Sequence, residues 1–267
     1  MISINTNYGS LFASKAAGAA QKTMNSAMER LSSGLRINNA KDDAAGQGIA
    51  TRITAQVEGL KMASRNASDA QSMIDTAEAA HQEVHNMLLR MREIAVQAAN
   101  EALGASDRTA LNEEISALEK EIKSISDNTT FAGTNINTGS QTVFQIGTKN
   151  TNTLTVIFKD FDTSAISADV GVTTASSART ALGTLDAAIS TVSTRRGELG
   201  AFSNRLSSVI ANLDNIAVNL ASARGRIQDT DFAEETSNLA KSQIMQQAAT
   251  AMLAQANASK QTVLALI

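Results

Sequence analysis

The stretch that decides the fold is residues 60–98, which read LKMASRNASDAQSMIDTAEAAHQEVHNMLLRMREIAVQA. Apolar or small residues recur along it in alternating steps of three and four, which is the spacing of a narrow seam on one long helix. The seam positions are Leu60, Ala63, Ala67, Ala70, Ile74, Ala77, His81, Val84, Leu88, Met91, Ala95 and Ala98. Because several of them are alanines, another helix can approach closely along this face. The stretch therefore predicts a long helix that packs lengthwise against other helices.

Two further helical stripes follow this stretch. Gly104 is placed to end local structure, and Ser106 or Asp107 can cap the helix that comes next. The stripe of that helix is Leu111, Ile115, Leu118, Ile122 and Ile125. The later helix begins near Ala178 and changes step at Phe202, where a step of three follows a step of three. We expect either a shift of its buried stripe or a local overwinding of the helix there. Its stripe is Leu182, Leu185, Ile189, Val192, Arg196, Leu199, Phe202, Leu206, Val209, Leu213, Ile216, Leu220, Ala223 and Ile227.

The segment between these helices differs in composition. Residues 127–177 are rich in Thr, Asn and Gly, and two β-branched and aromatic runs, 142–146 and 153–158, flank the turn-like residues 147–152. This pattern predicts a small β-hairpin that is too short for an independent domain. Pro is absent, so nothing forces a break in a long helix. The predicted fold class is mainly α, a long antiparallel helical coiled-coil bundle with a small β-hairpin insert.

The two ends of the chain share an unusual charge pattern. Residues 1–28 and 236–267 contain no Asp or Glu, and each stretch carries two lysines. Spaced stripes occur at both ends, and they are Ala17, Gln21, Met24, Met28, Leu31 and Leu35 at the front and Met245, Ala249, Met252, Ala256, Ser259, Val263 and Leu266 at the back. Chain ends are normally polar and frayed. Weakly charged ends with helix-packing stripes indicate that they come together and find partners in an assembly.

Composition excludes several classes of function. Cys is absent, which rules out disulfides, thiol catalysis and cysteine-based metal sites. A formal net charge of −3 argues against a nucleic-acid binder, which would show a basic face. We find neither a signal-peptide pattern at the start nor a run of eighteen apolar residues, so composition alone predicts a cytoplasmic protein without a membrane span.

The two histidines are the strongest candidates for chemistry. His81 and His85 are four residues apart on the predicted helix, a spacing that can bind zinc, and Glu78 lies one turn earlier. Zincins, however, place Glu directly after the first His, and Gln82 stands there. We therefore interpret His81 as a packed seam residue. The sequence predicts no catalytic residue, no cofactor-binding site and no metal site.

The carboxylate clusters have a structural interpretation as well. Charges at helix starts or on solvated faces explain them better than paired acid–base catalysis. Their members are Asp42, Asp43, Asp229, Asp231, Glu234 and Glu235. We expect a protein that is not an enzyme.

Several strings of this sequence closely resemble the signatures of bacterial flagellin. They are Asn5-Thr-Asn7, Glu29-Arg-Leu-Ser-Ser-Gly-Leu-Arg-Ile-Asn38, Ala40-Lys-Asp-Asp-Ala-Ala-Gly46, Leu89-Arg-Met-Arg-Glu-Ile-Ala-Val-Gln-Ala-Ala-Asn100, Phe144-Gln-Ile-Gly147, Leu199-Gly-Ala-Phe-Ser-Asn-Arg-Leu206, Gln243-Ile-Met-Gln-Gln-Ala248 and Ala251-Met-Leu-Ala-Gln-Ala-Asn257. They occur in the family's order over nearly the whole chain. The departures are Gly48, which can loosen the start of its helix, and Lys260, which stands where proline is common. The resemblance is to a short form that lacks the variable outer domains.

The resemblance implies a function and a location. The expected function is a structural subunit that polymerises into the flagellar filament, the helical propeller for swimming, with terminal helices that become ordered on assembly and form the filament core. The expected location is the extracellular flagellum, reached by type III export without a cleaved signal peptide, which replaces the cytoplasmic prediction. The implied partners are further copies of the chain, the flagellar cap and hook-junction proteins, an export chaperone at the C-terminal segment and the vertebrate Toll-like receptor for flagellin. Neither nucleic acid nor membrane insertion is implied.

The resemblance also implies site residues. For core assembly through the terminal helices they are Met24, Met28, Leu31, Leu35, Met245, Ala249, Met252, Ala256, Val263 and Leu266. In the outer helical layer, Arg90, Ile94 and Glu114 match positions of subunit contact and immune-receptor recognition.

The expected organisation is an inner domain built from both ends and an outer helical domain between them. Residues 1–40 and 235–267 form the two halves of the inner, core helical domain. Residues 41–127 supply the N-terminal helices of the outer domain, 128–177 its short β-rich insert and 178–234 its returning helix.

Three alternatives remain at this stage. A hook–filament junction protein of the same superfamily would share the terminal signatures and differ in copy number. A secreted enzyme of flagellin type would need a catalytic insert. A cytoplasmic coiled-coil adaptor would fit the seams but not the ordered strings, and it would not elongate filament ends.

Overall fold

The computed structural model of the chain describes residues 6–139, 141–159 and 170–264, the last five of them by their backbone alone. Within these ranges the chain forms five helices and four short strands. In chain order they are α1 (Tyr8–Ser33), α2 (Ala44–Ala98), α3 (Ala105–Asn128), β1 (Thr130–Phe131), β2 (Thr134–Asn135), β3 (Gln141–Gln145), β4 (Thr153–Ile157), α4 (Ala175–Gln228) and α5 (Phe232–Leu264). The predicted class, a mainly helical bundle with a small β insert, is confirmed.

The chain divides into two compact units. Unit 1 comprises Met1–Val57 and Val218–Ile267, and unit 2 comprises Glu58–Ala217. Both divisions fall inside a helix, one in α2 and one in α4. The domain boundaries predicted from the sequence lie at other positions, after residues 40 and 234.

The seam predicted for residues 60–98 is confirmed position by position. All twelve seam residues of α2 are buried in unit 2, His81 among them. The end of the seam nearer Ala98 packs with α3 and α4 in one apolar cluster that includes Leu88, Ile115 and Leu185. The end nearer Ala67 packs with α4 and the β3–β4 hairpin in a second cluster. A strict alternation of three and four buries one line of a helix, and the alanines let its neighbours approach.

Polar contacts between α2 and α4 fix their relative direction within unit 2. Arg92 Nε lies 2.6 Å from Asp186 Oδ1. Earlier on α2, Arg196 of α4 donates to Glu78 at 2.9 Å and Ser64 Oγ donates to Asp214 Oδ1 at 3.1 Å. Because each step backward along α2 meets a step forward along α4, the two helices run antiparallel, as predicted.

Of the two outcomes expected at Phe202, the shift of the buried stripe is wrong. The buried residues of α4 include Leu185, Val192, Leu199, Leu206 and Leu213, which keep a step of seven past that position, and the helix is continuous. Phe202 itself is partly buried and packs against the cluster that holds the hairpin. Its bulk lets it reach that cluster from beside the seam, so its apolar character does not mark a new line of burial.

The predicted hairpin is confirmed as β3–β4. Strand β3 begins and ends one residue earlier than predicted, and β4 ends one residue earlier. The strands pair antiparallel, with Phe144 opposite Leu154. Burial alternates along β4, because Leu154 and Val156 face the helices and their neighbours face solvent. A second, two-residue hairpin, β1–β2, has no counterpart in the prediction. Its turn residues Ala132 and Gly133 both have positive φ, the conformation of a type I′ turn, but the Ala there gave no turn signal.

Candidate assembly interface

The two terminal helices pair with each other inside unit 1. Asn7 caps the start of α1 and also donates from Nδ2 to the backbone carbonyl of Ala256 at 3.0 Å. Further along, Gln246 of α5 donates to Gln21 of α1. At the other end of α1, Arg30 lies 3.6 Å from the buried carboxylate of Glu235. These contacts run in opposite directions along the two helices, so α1 and α5 are antiparallel, and the expectation that the chain ends come together is confirmed.

The line of contact in α1 consists of alanines. The buried residues of α1 are Ala13, Ala20 and Ala27, at steps of seven. On α5 the buried residues Glu235, Ser242 and Ala249 follow the same step. Small side chains at heptad positions let two helices approach closely along one narrow seam. The seam therefore encloses little apolar area for helices of this length.

The predicted core-assembly residues that the structure describes differ in burial. Ala249 is buried, and four others are partly buried, namely Met24, Leu31, Leu35 and Ala256. Three methionines are exposed, Met28 at 48%, Met245 at 49% and Met252 at 63%. Val263 belongs to α5, but its side chain lies outside the described residues, as does all of Leu266. The N-terminal stripe of the prediction thus lies beside the line that the folded chain buries.

The largest exposed apolar side chains of this helix pair were missing from the prediction. Phe12 is 77% exposed and Ile244 66% exposed, and Tyr8, Leu11 and Phe232 are exposed as well. Three of these five are aromatic in a chain whose aromatic content is only 3%. The cluster of Tyr8, Leu11 and Phe12 at the start of α1, in a stretch without carboxylates, was the signal that the stripe analysis passed over. Large exposed apolar side chains that form a contiguous patch mark a surface that another molecule covers.

The links that follow α1 and precede α5 are joined to each other. Gly34 ends α1 with φ 72°, a left-handed conformation that glycine adopts without strain. The backbone N–H of Arg36 donates to Gln228 at 2.7 Å, and the N–H of Thr230 donates to Gly34 at 3.0 Å. Residues of the Glu29–Asn38 string that resembles the flagellin signature thus connect α1 to the end of α4.

Three of the carboxylates that the sequence singled out, Asp42, Asp43 and Asp231, accept hydrogen bonds from nearby backbone. Asp42 Oδ2 accepts from the backbone N–H of Asn39 at 3.0 Å, and this hydrogen bond is the main cause that lowers the pKa of Asp42. Asp43 Oδ1 accepts from the N–H of Gly46 at the start of α2, at 2.8 Å. Asp231 Oδ1 accepts from the N–H of Ala233 at the start of α5. Each carboxylate caps backbone donors at a turn or a helix start, as expected.

The outer site brings two of its three predicted residues together. Arg90 on α2 donates from Nε and Nη2 to one oxygen of Glu114 on α3, at 2.9 and 2.8 Å, and from Nη1 to Glu93 at 3.1 Å. The hydrogen bond to Glu114 is the main cause that raises the pKa of Arg90. Ile94 is only 1% exposed and belongs to the apolar cluster of unit 2. A direct contact of Ile94 with a partner is therefore not available on this surface.

His81 occupies the seam as the sequence predicts. It lies among apolar residues of α2, β4 and α4, and burial lowers its pKa to about 4. The charged groups around it are Glu78, Arg195, Arg196, Glu198 and Lys159. Among the described residues, no three His, Asp or Glu side chains are grouped as a metal site. In the same ranges, no helix combines the length and apolar character that a bilayer crossing requires.

Comparison with known proteins identifies the class. Residues 4–142 match the family model for the bacterial flagellin N-terminal helical region. Residues 182–267 match the model for the bacterial flagellin C-terminal helical region. The chain is 41% identical to a flagellin of Halalkalibacterium halodurans, over 99% of this chain and 99% of that protein. The chain belongs to the bacterial flagellin family.

Solved structures agree with this assignment. The crystal structure of Bacillus cereus flagellin is 30% identical, with a TM-score of 0.52 over 60% of this chain and 94% of that one. A Vibrio parahaemolyticus protein assigned as flagellar hook-associated matches with a TM-score of 0.64 over 70% of this chain and all of its own, at 14% identity. The second likeness shows a shared fold and gives no support for a hook-junction role.

The family defines the function at the level of the assembly. The protein is a structural subunit that polymerises with itself into the extracellular flagellar filament. The family is structural, in agreement with the expectation of a protein without catalysis.

Proposed function

We propose that α1 and α5 form the core of the filament and become fully ordered when the subunit is incorporated. The observation that carries this proposal is the contrast between the two sides of the helix pair. Inside, the pair buries mainly alanine and serine, whereas outside it leaves Phe12, Ile244 and Met252 exposed. Apolar burial of about 25 cal/mol per Å² stabilises helices, so a pair with so small a seam gains most of its stability from what covers its outer side.

The occupant of that outer side is another copy of the same chain. The stretches 1–28 and 236–267 carry no carboxylate, so most of the outer surface is free of negative charge. A carboxylate buried without a partner would cost several kcal/mol or more, and in a homopolymer each copy would incur this cost. In this proposal the terminal helices become fully ordered only when they contact another copy of the chain. Their folding is therefore coupled to binding at the filament end.

The experiment places one charge on the outer side of α5. Ile244→Asp should leave the protein soluble and unable to elongate filament seeds, because the new carboxylate would be buried at the contact. Ile244→Met keeps an apolar side chain at the same position and should elongate seeds as the wild type does. Sedimentation and negative-stain microscopy measure both, with a truncation lacking residues 1–28 alongside. Elongation by Ile244→Asp at the wild-type critical concentration would contradict the proposal.

The surface shared by Arg90 and Glu114 has a second proposed role. We propose that it contacts neighbouring subunits and is the surface that the vertebrate Toll-like receptor for flagellin binds in the monomer. Both side chains are exposed enough to pair with a partner, at 53% and 41% of the side chain. Arg90→Ala should lower the response of receptor reporter cells to purified monomer, and Arg92→Ala on the same helix is the matched control. An unchanged response to Arg90→Ala would reject the receptor role.

The route of export is a further part of the proposal. We propose that the chain leaves the cell through the flagellar type III apparatus without cleavage and that an export chaperone covers the exposed apolar side of its C-terminal segment until then. Intact-mass measurement of the secreted protein tests the first point. Binding of a cell-derived chaperone to wild type but not to Ile244→Asp tests the second.

A further inference from the structure

The described methionines of this chain differ in exposure and in position. Met24 on α1 and Met87 in unit 2 are partly buried. Met73 and Met91 are buried in unit 2. Met28 on α1 and Met245 and Met252 on α5 are 48%, 49% and 63% exposed. In unit 2 only one methionine among the described residues, Met62, reaches comparable exposure, at 49%. The exposed thioethers are therefore concentrated on the helix pair proposed to form the filament core.

An exposed thioether reacts with peroxides under conditions that leave most side chains intact. The sulfur takes one oxygen atom from hydrogen peroxide and is oxidised to the sulfoxide, while the peroxide is reduced and leaves as water. The product is a polar, chiral side chain in place of a flexible apolar one. With no Cys in the chain, no thiol competes with the thioethers for the oxidant.

We propose that Met28, Met245 and Met252 are oxidation sites through which peroxides block polymerisation of the free subunit. The inference rests on the proposed function of α1 and α5, because it requires these side chains to be buried between copies of the chain. A sulfoxide oxygen buried there without a hydrogen-bond donor opposes the contact. Since each incorporated subunit brings three such groups, a small cost for each one accumulates at the contact.

The fold of the single chain tolerates this chemistry. In the single chain Met28, Met245 and Met252 are 48%, 49% and 63% exposed, so a sulfoxide oxygen at each position can be hydrated without opening the fold. The buried seam of Ala13, Ala20 and Ala27 is untouched. Oxidation thus acts on assembly and not on folding, and methionine sulfoxide reductases reverse it by returning the thioether. Once a subunit is in the filament, the same burial protects its methionines.

The test uses the full-length chain treated with hydrogen peroxide and then freed of oxidant. Peptide mass spectrometry measures the sulfoxide at each methionine, circular dichroism measures the helix content, and seeded sedimentation measures the critical concentration. We expect sulfoxide at Met28, Met245 and Met252, unchanged helicity and a critical concentration raised by about tenfold or more, which corresponds to about 1.4 kcal/mol. Treatment with the reductases should restore the original value.

Two variants make the result specific. In the triple variant Met28→Leu, Met245→Leu, Met252→Leu the side chains stay apolar and cannot take oxygen, so its polymerisation should resist peroxide. Met62→Leu removes the exposed methionine of unit 2, and this variant should remain as sensitive as the wild type. Loss of polymerisation in the treated triple variant would overturn the inference, and so would an unchanged critical concentration of oxidised wild type.

Peroxide oxidation of finished filaments distinguishes a failure of this inference from a failure of the proposed function on which it rests. Peroxide applied to finished filaments should oxidise the three methionines far less than in the monomer. If they are protected but their sulfoxides do not hinder polymerisation, the inference fails and the filament core remains as proposed. If they are equally reactive in monomer and filament and Ile244→Asp elongates seeds, the proposed core itself is wrong.

Discussion

Arg36 donates a hydrogen bond from Nη2 to the backbone carbonyl oxygen of Ile227 at 2.6 Å, across 191 positions of the sequence. The carbonyls of the last turn of a helix have no partner within the helix, and a cation is favourable at this end of the helix dipole. Arg36 therefore completes the end of α4 from the link that follows α1. A residue of the flagellin-like string near the start of the chain thus caps a helix end far away in the sequence.

Replacement of Arg36 by alanine should loosen this joint. Arg36→Ala removes the bond to Ile227, and the net loss for a partly solvated charged donor is about 1 kcal/mol. Amide hydrogen exchange in the polymerised protein measures it at the N–H groups of Arg36 and Thr230, which should exchange faster. Arg52→Ala, at an exposed arginine of α2 in the same unit, should leave both rates unchanged. Unaltered exchange in Arg36→Ala would show that the backbone bonds alone maintain the joint.

Two glycines at the start of α2 should respond oppositely to the same substitution. A Cβ at Gly46 would lie 2.8 Å from Ile37 Cδ1, so Gly46→Ala should destabilise the protein by about 1–3 kcal/mol. Nothing lies within 4 Å of a Cβ at Gly48, so Gly48→Ala should stabilise the helix by about 0.5–1 kcal/mol. Thermal unfolding of the two variants beside the wild type measures both changes. Shifts of equal sign would refute the packing described for Gly46.

Acid should weaken unit 2 through His81. Burial lowers the pKa of His81 to about 4 from its ordinary 6.5, so the unfolded chain binds the proton more tightly. Stability is therefore complete above pH 6.5 and falls as the pH drops toward 4, by about 3 kcal/mol for this group. The charge of Glu78 raises the pKa of His81, whereas the charges of Arg195 and Arg196 lower it.

Urea unfolding between pH 7 and pH 4.5 measures this dependence. His81→Leu should show a much smaller loss of stability over that interval than the wild type. His85→Gln, on the same helix, is the matched control and should keep the wild-type slope. A His81→Leu slope equal to that of the wild type would assign the acid sensitivity to other groups.

Alanine substitutions at Ile94 and at Leu89 of α2 should differ in their effect on the free energy of unfolding, because the first side chain is buried and the second is exposed. Ile94 is buried in the cluster of unit 2, so Ile94→Ala should cost about 2–5 kcal/mol in the free energy of unfolding. Leu89 is exposed, so Leu89→Ala should change that free energy by no more than about 0.5 kcal/mol. Guanidinium unfolding of the monomer measures both. If Ile94→Ala were as stable as the wild type, the cluster would not be packed as described.

Much of unit 2 could be predicted from residue spacing. The unbroken alternation from Leu60 to Ala98 identified the buried face of α2, because a seam of constant period faces its neighbours along its whole length. The β3–β4 hairpin was predictable from two β-branched runs around a turn. The β1–β2 turn was not, because Ala132 has positive φ where the sequence signals require glycine or asparagine.

The terminal helices show where spacing is insufficient. The stripe through Met24 and Met28 has helical period, yet the folded chain buries Ala20 and Ala27 beside it. Both lines repeat along α1, and hydrophobicity favours the methionines. Close approach of α5 favours the alanines, because small side chains at the seam let the two helix axes lie nearer each other. Period alone cannot choose between two such lines.

The sequence by itself determined the class of fold, the long seam of α2, the hairpin insert and, through its strings, the family. These follow from local chemistry, namely helical period, turn residues and the absence of proline. Only the tertiary structure decided that Ile94 is core and not surface, that Arg36 reaches Ile227 and that Met28, Met245 and Met252 are about half exposed or more. Each of these depends on which residues distant in sequence lie opposite one another. The spacing of residues along one helix does not identify the residues that pack against it.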